Sequence, residues 1–271
     1  MNTQNFKPLI EALAYHANGA SKTSLKSLIS DRRVQVDGKV ISNPKHMVLL
    51  DQKIVILPKE KSAGPNIKIF YDDPHLVVVY KPENLLSVAQ DIGGLASLHG
   101  YLKAHFKQKI TPVHRLDRGT SGVLVFAKTE QAKEGLKELF FEHDIVREYV
   151  GIVEGFVPLD KGKWVDFLEE DERGIVRVTR DEHHGKMAVT NFEVLDRNQT
   201  HTLLRFRLET GRKHQIRVQA SSRGFCLVGD ETYGGAKHRR MLLHAETLEF
   251  KHPFTRKQMK FHAPLPPSFV L

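Results

Sequence analysis

The chain carries at residues 114–127 the sequence His114-Arg115-Leu116-Asp117-Arg118-Gly119-Thr120-Ser121-Gly122 followed by Val123-Leu124-Val125-Phe126-Ala127, a polar run that leads directly into an apolar one. The two glycines allow a tight turn, and the neighbouring Thr and Ser hydroxyls can cap it through backbone amides. The apolar run that follows has the length and composition of a buried strand. This segment therefore predicts a loop that displays polar side chains at the start of a core β-strand.

Asp117 is the side chain of this loop that is best suited to chemistry, because arginines lie close to it on both sides. A positive charge within a few ångströms lowers the pKa of a carboxyl group, so we expect Asp117 to be ionised. An ionised aspartate fits the role of a nucleophile better than that of a general acid. An aspartate between arginines is also typical of a surface ion pair, and residue chemistry alone leaves both interpretations open.

Length and charge limit the class of protein. The 271 residues, 40% of them hydrophobic, allow one large domain and one small one. A formal net charge of +9 predicts a polyanionic partner, with nucleic acid favoured over an anionic membrane surface. No apolar run approaches the roughly 18 residues of a spanning helix, and the first residues lack the charged and apolar regions of a signal peptide. We therefore expect a cytoplasmic protein without a membrane partner.

The sequence gives little support for a metal site or a disulfide. Cys226 is the single cysteine, which excludes an internal disulfide and a cysteine-based metal cluster. The adjacent pair His183-His184 lacks carboxylates or histidines at the spacing of a known metal site. The sequence predicts no metal site.

Residues 1–58 predict a small α/β domain. Apolar side chains at helical spacing form two sets: Leu9, Ile10, Leu13 and Ala14, and then Leu25, Leu28 and Ile29. Ser21 is the expected N-cap of the second helix. Asp37-Gly38 is expected to form the turn of a β-hairpin, because these residues tolerate positive φ angles.

The same part of the chain is basic. Residues 1–66 contain ten Lys and Arg against five Asp and Glu. Four of the cations crowd the second helix and its end: Lys22, Lys26, Arg32 and Arg33. Such a cluster can neutralise successive phosphates of RNA, although a solvated basic face is the alternative. Residues 59–66 carry Pro, Gly and charges without periodicity, which predicts a linker to a domain over 67–271.

The larger domain alternates strand and helix patterns. Strands are predicted over 67–70, 76–80, 146–155, 164–168, 175–179, 185–194 and 201–208, and helices within 93–106 and over 131–143. The later strands have one apolar face each and are expected to be antiparallel. These patterns indicate an α+β fold with a mostly antiparallel mixed sheet flanked by helices.

Several motifs resemble those of one enzyme family. The run His-Arg-Leu-Asp-x-x-Thr-Ser-Gly at 114–122 resembles a signature of the RluA-type pseudouridine synthases. The run Thr-Gly-Arg-x-His-Gln-Ile-Arg at 210–217 resembles a second signature of the family. Arg147-Glu148-Tyr149 resembles its basic-x-Tyr element, and residues 229–234 resemble its Gly-Asp-x-x-Tyr-Gly stretch. The resemblance extends over about residues 67–265.

This resemblance implies an active-site cleft across the sheet and the isomerisation of uridine to pseudouridine in RNA, without a metal or cofactor. It implies Asp117 as the catalytic residue, Arg217 as its ion-pair partner and Tyr149 as the residue against the target base. The substrate-binding residues that it implies are Arg115, which enters the gap left by the flipped base, Leu227, which packs beside the tyrosine, and His114 of the first signature.

The basic N-terminal part has a resemblance of its own. Residues 24–29 and 33–39 are similar to the alpha-L RNA-binding module of the ribosomal protein S-four type, which implies RNA contact. Ribosomal RNA of the large subunit is the favoured substrate, transfer RNA is the second candidate, and we expect a monomer. A non-catalytic RNA-binding or ribosome-assembly protein is the alternative function. A serine hydrolase built on Ser121 and His114 is disfavoured, because the Gly-x-Ser-x-Gly elbow is missing.

Overall fold

In a computed structural model of the protein, the chain divides into two compact units, residues 1–66 and 67–271. The structure describes residues 6–16, 20–30, 33–49, 51–57, 67–89 and 97–271. The predicted linker over 59–66 and Arg32 lie outside this set. Within it, no helix is both long enough and apolar enough to cross a membrane.

The N-terminal unit combines two helices with short strands. Its elements are β1 (Phe6–Pro8), α1 (Leu9–His16), α2 (Lys22–Ser30), β2 (Val34–Val36), β3 (Lys39–Val40), β4 (Met47–Leu49) and β5 (Ile54–Ile56). β1 pairs with β4, and β3, β2 and β5 form a separate three-stranded sheet. Leu9, Leu13, Leu25 and Ile29 of the two helices pack with strand residues in one core.

Two local predictions for this unit are confirmed. The Ser21 hydroxyl accepts a hydrogen bond from the Ser24 amide at 3.2 Å and so caps α2. Asp37 and Gly38 have φ angles of 48° and 79° and form the turn between β2 and β3. The prediction for α1 is wrong at one position, because Ala14 is exposed and Ala12 is buried. Ala14 lies about 140° around the helix from Leu9, whereas Ala12 is one turn away.

The larger unit is built around one sheet. Its elements are β6 (Ile69–Asp72), β7 (Leu76–Lys81), α3 (Leu98–Phe106), β8 (Thr111–Pro112), β9 (Ser121–Ala127), α4 (Glu130–Phe141), β10 (Ile145–Glu154), β11 (Lys161–Glu170), β12 (Val176–Thr179), β13 (Lys186–Arg197), β14 (His201–Leu208), α5 (Gln215–Ser222), a short 3-10 helix (Glu231–Tyr233), β15 (Leu243–Lys251) and β16 (Gln258–His262).

The eleven strands of this sheet are mostly antiparallel. The main path runs β12-β11-β13-β14-β10-β15-β9-β7-β6, while β8 pairs with β9 and β16 with β15. β15 and β9 are the parallel pair. At their junction Gly122 has a φ of 124°, and an added Cβ would lie 2.1 Å from the Ala245 carbonyl oxygen. Glycine therefore permits this close approach of two strands, and the predicted α+β class is confirmed.

Burial on both faces explains why β9 is apolar from Val123 to Ala127. Val123 and Val125 pack with Leu136 of α4 in one core cluster. Leu124 and Phe126, which point the other way, belong to a second cluster together with Leu98 and Leu102 of α3. A strand covered by a helix on each face needs apolar residues at successive positions. The strand at the centre of this arrangement fixes the point at which the loop that carries Asp117 ends.

Candidate active site

Buried polar groups hold the loop of Asp117 on both sides of that residue. Before it, the Ser87 hydroxyl donates to the Leu116 carbonyl at 2.7 Å and accepts from the Leu116 amide at 3.0 Å. After it, the ammonium of Lys81 donates to the Arg118 carbonyl at 3.2 Å. The Lys81 side chain is fully buried and also donates to the carbonyls of Pro82 and Leu85. The backbone that presents Asp117 is therefore fixed from within the domain.

Asp117 forms an ion pair with Arg217 of α5. Nη1 of Arg217 donates to Oδ2 of Asp117 at 3.0 Å. The same guanidinium binds Asp230 in a two-pronged manner, through Nε at 2.7 Å and Nη2 at 2.8 Å. Its Cζ lies 4.9 Å from the centre of the Tyr233 ring. Because Arg217 is held on several sides, it offers Asp117 a fixed positive charge rather than a mobile one.

The charge state of Arg217 follows from its surroundings. Burial alone disfavours the cation, but the hydrogen bonds and the charge of Asp230, followed by those of Asp117, outweigh it and raise the pKa of Arg217 above its ordinary value. The arginine is therefore positively charged at every pH at which the protein is folded. Arg217 therefore places a fixed positive charge beside the Asp117 carboxylate.

His214, which is hydrogen-bonded to Tyr233, makes a second contact to the carboxylate of Asp117. Nε2 of His214 lies 3.7 Å from Oδ1 of Asp117, and its Nδ1 lies 2.8 Å from the Tyr233 hydroxyl. Burial is the main cause that lowers the pKa of His214. His214 adopts a left-handed conformation with a φ of 54° just before α5 begins, which turns its ring toward the loop of Asp117.

The carboxylate opens into a cleft. The Asp117 side chain is 22% exposed, so a substrate can reach it. Charged and polar groups of the lining include Arg115, Arg212 and His214, and its apolar part comes from Leu208, Ile216 and Leu243 together with the ring of Tyr149. Burial raises the pKa of Tyr149 to about 12, so its phenol is neutral at pH 7. The cleft combines an anion, several cations and a flat ring.

The structure brings four of the predicted site residues together. Asp117, Arg115, Tyr149 and Arg217 all line the cleft, although they come from a loop, a strand and a helix up to a hundred positions apart. Leu227 is not part of the lining. It is almost fully buried and packs in the core cluster that Tyr149 also contacts.

His114 has a different position from the other signature residues. Its Nε2 accepts a hydrogen bond from the Val125 amide of β9 at 3.1 Å, and its ring lies 4.6 Å from the ring of Phe140. Burial, followed by the charge of Arg147, lowers the pKa of His114 to about 3. The side chain therefore stays neutral and braces the loop against β9, and it does not line the cleft.

The predicted basic residues of the N-terminal unit differ in accessibility. Lys22 and Lys26 are exposed and lie one turn apart on α2. Arg33 is half-buried, and its Nε donates to the Leu57 carbonyl at 3.1 Å. Arg32 lies outside the described residues, so the cluster is described here through its other members.

The pairing that a serine hydrolase would require is absent from the described residues. Ser121 is fully buried, and its hydroxyl lies 2.7 Å from Nδ1 of His244 rather than near His114. It also accepts a hydrogen bond from Nη2 of Arg240 at 2.6 Å. A hydroxyl without access to solvent cannot attack a substrate, so the structure contradicts this interpretation.

Three residues of the site went unnoticed in the sequence: Asp230, His214 and Tyr233. Two of them stand in the Gly-Asp-x-x-Tyr-Gly stretch at 229–234, and His214 stands in the second signature. A carboxylate three residues before an aromatic ring in a glycine-bounded loop was the available signal. It gave no indication that both side chains would contact Arg217.

A reachable carboxylate, fixed by a guanidinium beside an aromatic ring and further cations, is typical of enzymes that act on a polyanionic substrate with a flat reacting group. The comparisons identify that class. Residues 75–222 match the family described as RNA pseudouridylate synthase. The chain belongs to this family, and it is an enzyme that isomerises uridine in RNA to pseudouridine.

Relatives and solved structures agree with this assignment. The chain is 34% identical over 291 residues to ribosomal large subunit pseudouridine synthase D of Escherichia coli K12, covering 97% of this chain and 88% of the relative. It is 35% identical over 272 residues to the uncharacterized RNA pseudouridine synthase YlyB of Bacillus subtilis 168, covering 94% and 89%. The human RNA pseudouridylate synthase domain containing 1 has the same fold, with a TM-score of 0.64, 24% identity, and coverage of 76% of this chain and 86% of that one.

Proposed function

We propose that this enzyme converts specific uridines of large-subunit ribosomal RNA to pseudouridine, with Asp117 as the catalytic carboxylate. The observation that carries the proposal is the reachable Asp117 carboxylate, bound by Arg217 at 3.0 Å in a cleft lined by Tyr149 and Arg115. The relative from Escherichia coli, which is named for the large ribosomal subunit, favours ribosomal over transfer RNA. The enzyme acts in the cytoplasm as a monomer.

The reaction sets the demands on the cleft. Uracil is detached from its ribose, rotated and rejoined through a ring carbon, so the same atoms are present before and after. The site needs a carboxylate near the sugar and the ring, a pocket that retains the free base, and exclusion of water. Attack on the sugar, attack on the ring and removal of a sugar proton all require the ionised form of Asp117. Arg217 fixes the direction of the carboxylate through its hydrogen bond at 3.0 Å.

Tyr149 and Arg115 have different roles in binding the target nucleotide. The neutral ring of Tyr149 packs against the uracil and keeps it in the cleft. A uridine within a stacked helix must first be flipped out, which costs a few kcal/mol. Arg115 is exposed and lines the cleft, so its guanidinium is free to occupy the gap that the base leaves.

Residues 1–58 serve as an alpha-L type RNA-binding domain, joined by the linker 59–66 to the catalytic domain over 67–271. Lys22 and Lys26 face solvent on α2 and contact RNA phosphates together with Arg32 and Arg33. Arg33 contributes less than the lysines, because its guanidinium also binds the Leu57 carbonyl.

Mapping of pseudouridines tests both the proposed RNA substrate and the proposed role of Asp117. RNA is isolated from a deletion strain and from the same strain carrying the wild-type gene or the Asp117→Asn variant. The proposal expects specific large-subunit sites to be lost on deletion, restored by the wild type and not restored by the variant. Loss confined to transfer RNA would overturn the substrate, and restoration by the variant would overturn the role of Asp117.

The role of Arg115 has a separate test. Arg115→Ala is expected to slow turnover on folded RNA and to leave turnover on an unstructured RNA with the same target much less affected, because only the folded RNA requires flipping. Thermal unfolding at the wild-type temperature serves as the control for folding. Equal turnover by variant and wild type on the folded RNA would remove this role.

A further inference from the structure

Arg147 of β10 is a buried cation without an anion. Only 8% of the residue is exposed, and its Nε is fully buried without a hydrogen-bond partner. The side chain makes no hydrogen bond or ion pair with any residue that the structure describes. Its guanidinium contacts the ring of Phe140, with Cζ 5.6 Å from the ring centre. A cation–π contact offsets only part of the cost of burying a charge without an anionic partner.

The strand brings this guanidinium to the edge of the cleft. Arg147 and Tyr149 are two positions apart on β10, so their side chains leave the same face of the strand about 7 Å apart. On its other side the guanidinium packs against Gly211, where an added Cβ would lie 2.4 Å from Nη1. Both Tyr149 and Arg212, the next residue after Gly211, line the cleft. A third neighbour is His114, which precedes the cleft residue Arg115. Burial and the charge of Arg147 lower the pKa of His114.

The Arg147 guanidinium therefore lies beside the place of the target base without an anionic partner among the described residues. We propose that Arg147 binds a phosphodiester group of the RNA strand next to the uridine that enters the cleft. The planar fork of a guanidinium matches two oxygens of one phosphate, and RNA carries this anion at each nucleotide. Because Gly211 has no side chain, the guanidinium can lie against its backbone at the edge of the cleft. The identity of the nucleotide rests on the proposed function, in which Tyr149 packs against the target base.

Salt dependence of RNA binding measures this contact. Each phosphate contact with a single strand contributes about 0.7 to the slope of the logarithm of affinity against the logarithm of salt concentration, and about 0.9 with a duplex. The probe is an unmodified transcript of large-subunit ribosomal RNA, bound by full-length protein in the Asp117→Asn background at several KCl concentrations. Arg147→Gln is expected to flatten the slope by about 0.7–0.9, and Arg147→Lys to retain most of it.

Arg197→Gln is the matched control, because it removes the same charge from an arginine at the end of β13 that is paired with Asp160 and bonded to the Val157 carbonyl. Its slope is expected to equal that of the parent protein. A slope of Arg147→Gln equal to the parent, or an equal flattening by Arg197→Gln, would overturn the proposal.

A second variant covers the case in which Arg147→Gln does not fold. Gly211→Ala leaves the charge in place but pushes a methyl group against Nη1, and the φ of Gly211 is compatible with alanine. It is expected to flatten the slope as Arg147→Gln does, whereas an unchanged slope would count against the site. These binding measurements do not depend on turnover. They therefore keep their meaning even if Asp117 proves not to be the catalytic residue.

Discussion

Arg217 and Arg147 are equally buried, at 8% exposure each, but their surroundings are opposite. Arg217 makes three hydrogen bonds to the carboxylates of Asp117 and Asp230. Arg147 has no carboxylate partner among the described residues and packs on an aromatic ring and a glycine. The first wall of the cleft is electrostatically complete and holds a catalytic group. The second cation has no such partner, which fits the proposed contact with an RNA phosphate.

Replacing each arginine by methionine tests this difference between Arg217 and Arg147 most directly. Arg217→Met leaves the buried Asp230 without its partner, and we expect the free energy of unfolding to fall by about 3–5 kcal/mol. Arg147→Met removes an uncompensated cation, so the free energy of unfolding is expected to stay equal or to rise. Chemical denaturation followed by the fluorescence of Trp164, the single tryptophan, reports on the larger unit. Equal losses in both variants would show that Arg147 has a hidden anionic partner.

Lys81 offers a third buried basic side chain, which donates to carbonyl oxygens instead of carboxylates, and burial lowers its pKa to about 7. Lys81→Met leaves the carbonyls of Pro82, Leu85 and Arg118 without their donor. We expect the free energy of unfolding to fall by about 2–3 kcal/mol and kcat to fall with it, since the loop of Asp117 loses a support. Denaturation and steady-state kinetics on the same preparation measure both effects. A normal kcat in the destabilised protein would show that the position of the Asp117 loop does not depend on Lys81.

The smallest expected effect concerns pH. Burial lowers the pKa of His114 to about 3, with the charge of Arg147 as the second cause, and burial lowers that of His244 to about 4. Because these pKa values lie below that of an unfolded histidine, about 6.5, the unfolded chain takes up more protons on acidification. The stabilisation is complete above that pH and is lost as the pH falls toward 4.

Between pH 7 and pH 6 we expect a loss of about 1 kcal/mol, measured by denaturation at both values. His114→Gln, which keeps an acceptor for the Val125 amide, should lose less, because it removes one of the two neutral buried histidines. An unfolding free energy that does not change over this interval would argue against neutral buried histidines.

The sequence predicted the parts of this molecule that depend on local pattern or on a complete motif. Alternation and helical spacing indicated the α+β class, and the two signatures indicated that Asp117 and Arg217 would meet across a hundred residues. Periodicity reports which face of an element is buried, but it does not report the partner. The parallel pairing of β9 with β15 depends on a close approach at Gly122 and was not foreseen.

Sequence patterns likewise do not show which partner a charged side chain has. Whether a carboxylate is solvated or bound depends on residues distant in sequence, so the second ion pair of Arg217 with Asp230 was missed. The isolation of Arg147 was equally hidden, because an arginine in a strand is usually solvated at its tip. Motif membership implied contact of His114 and Leu227 with substrate, and it gave no sign that the His114 ring accepts from the Val125 amide or that Leu227 lies in a core cluster next to Tyr149.

The central claim is that Asp117 performs the chemistry. The isomerisation replaces the hydrogen at C5 of uracil, so release of tritium from RNA labelled at that position counts turnovers. Asp117→Asn keeps the size and shape of the side chain, and we expect it to bind the RNA with the wild-type Kd and to release no tritium. Release by the variant at the wild-type rate, with equal binding, would contradict the account.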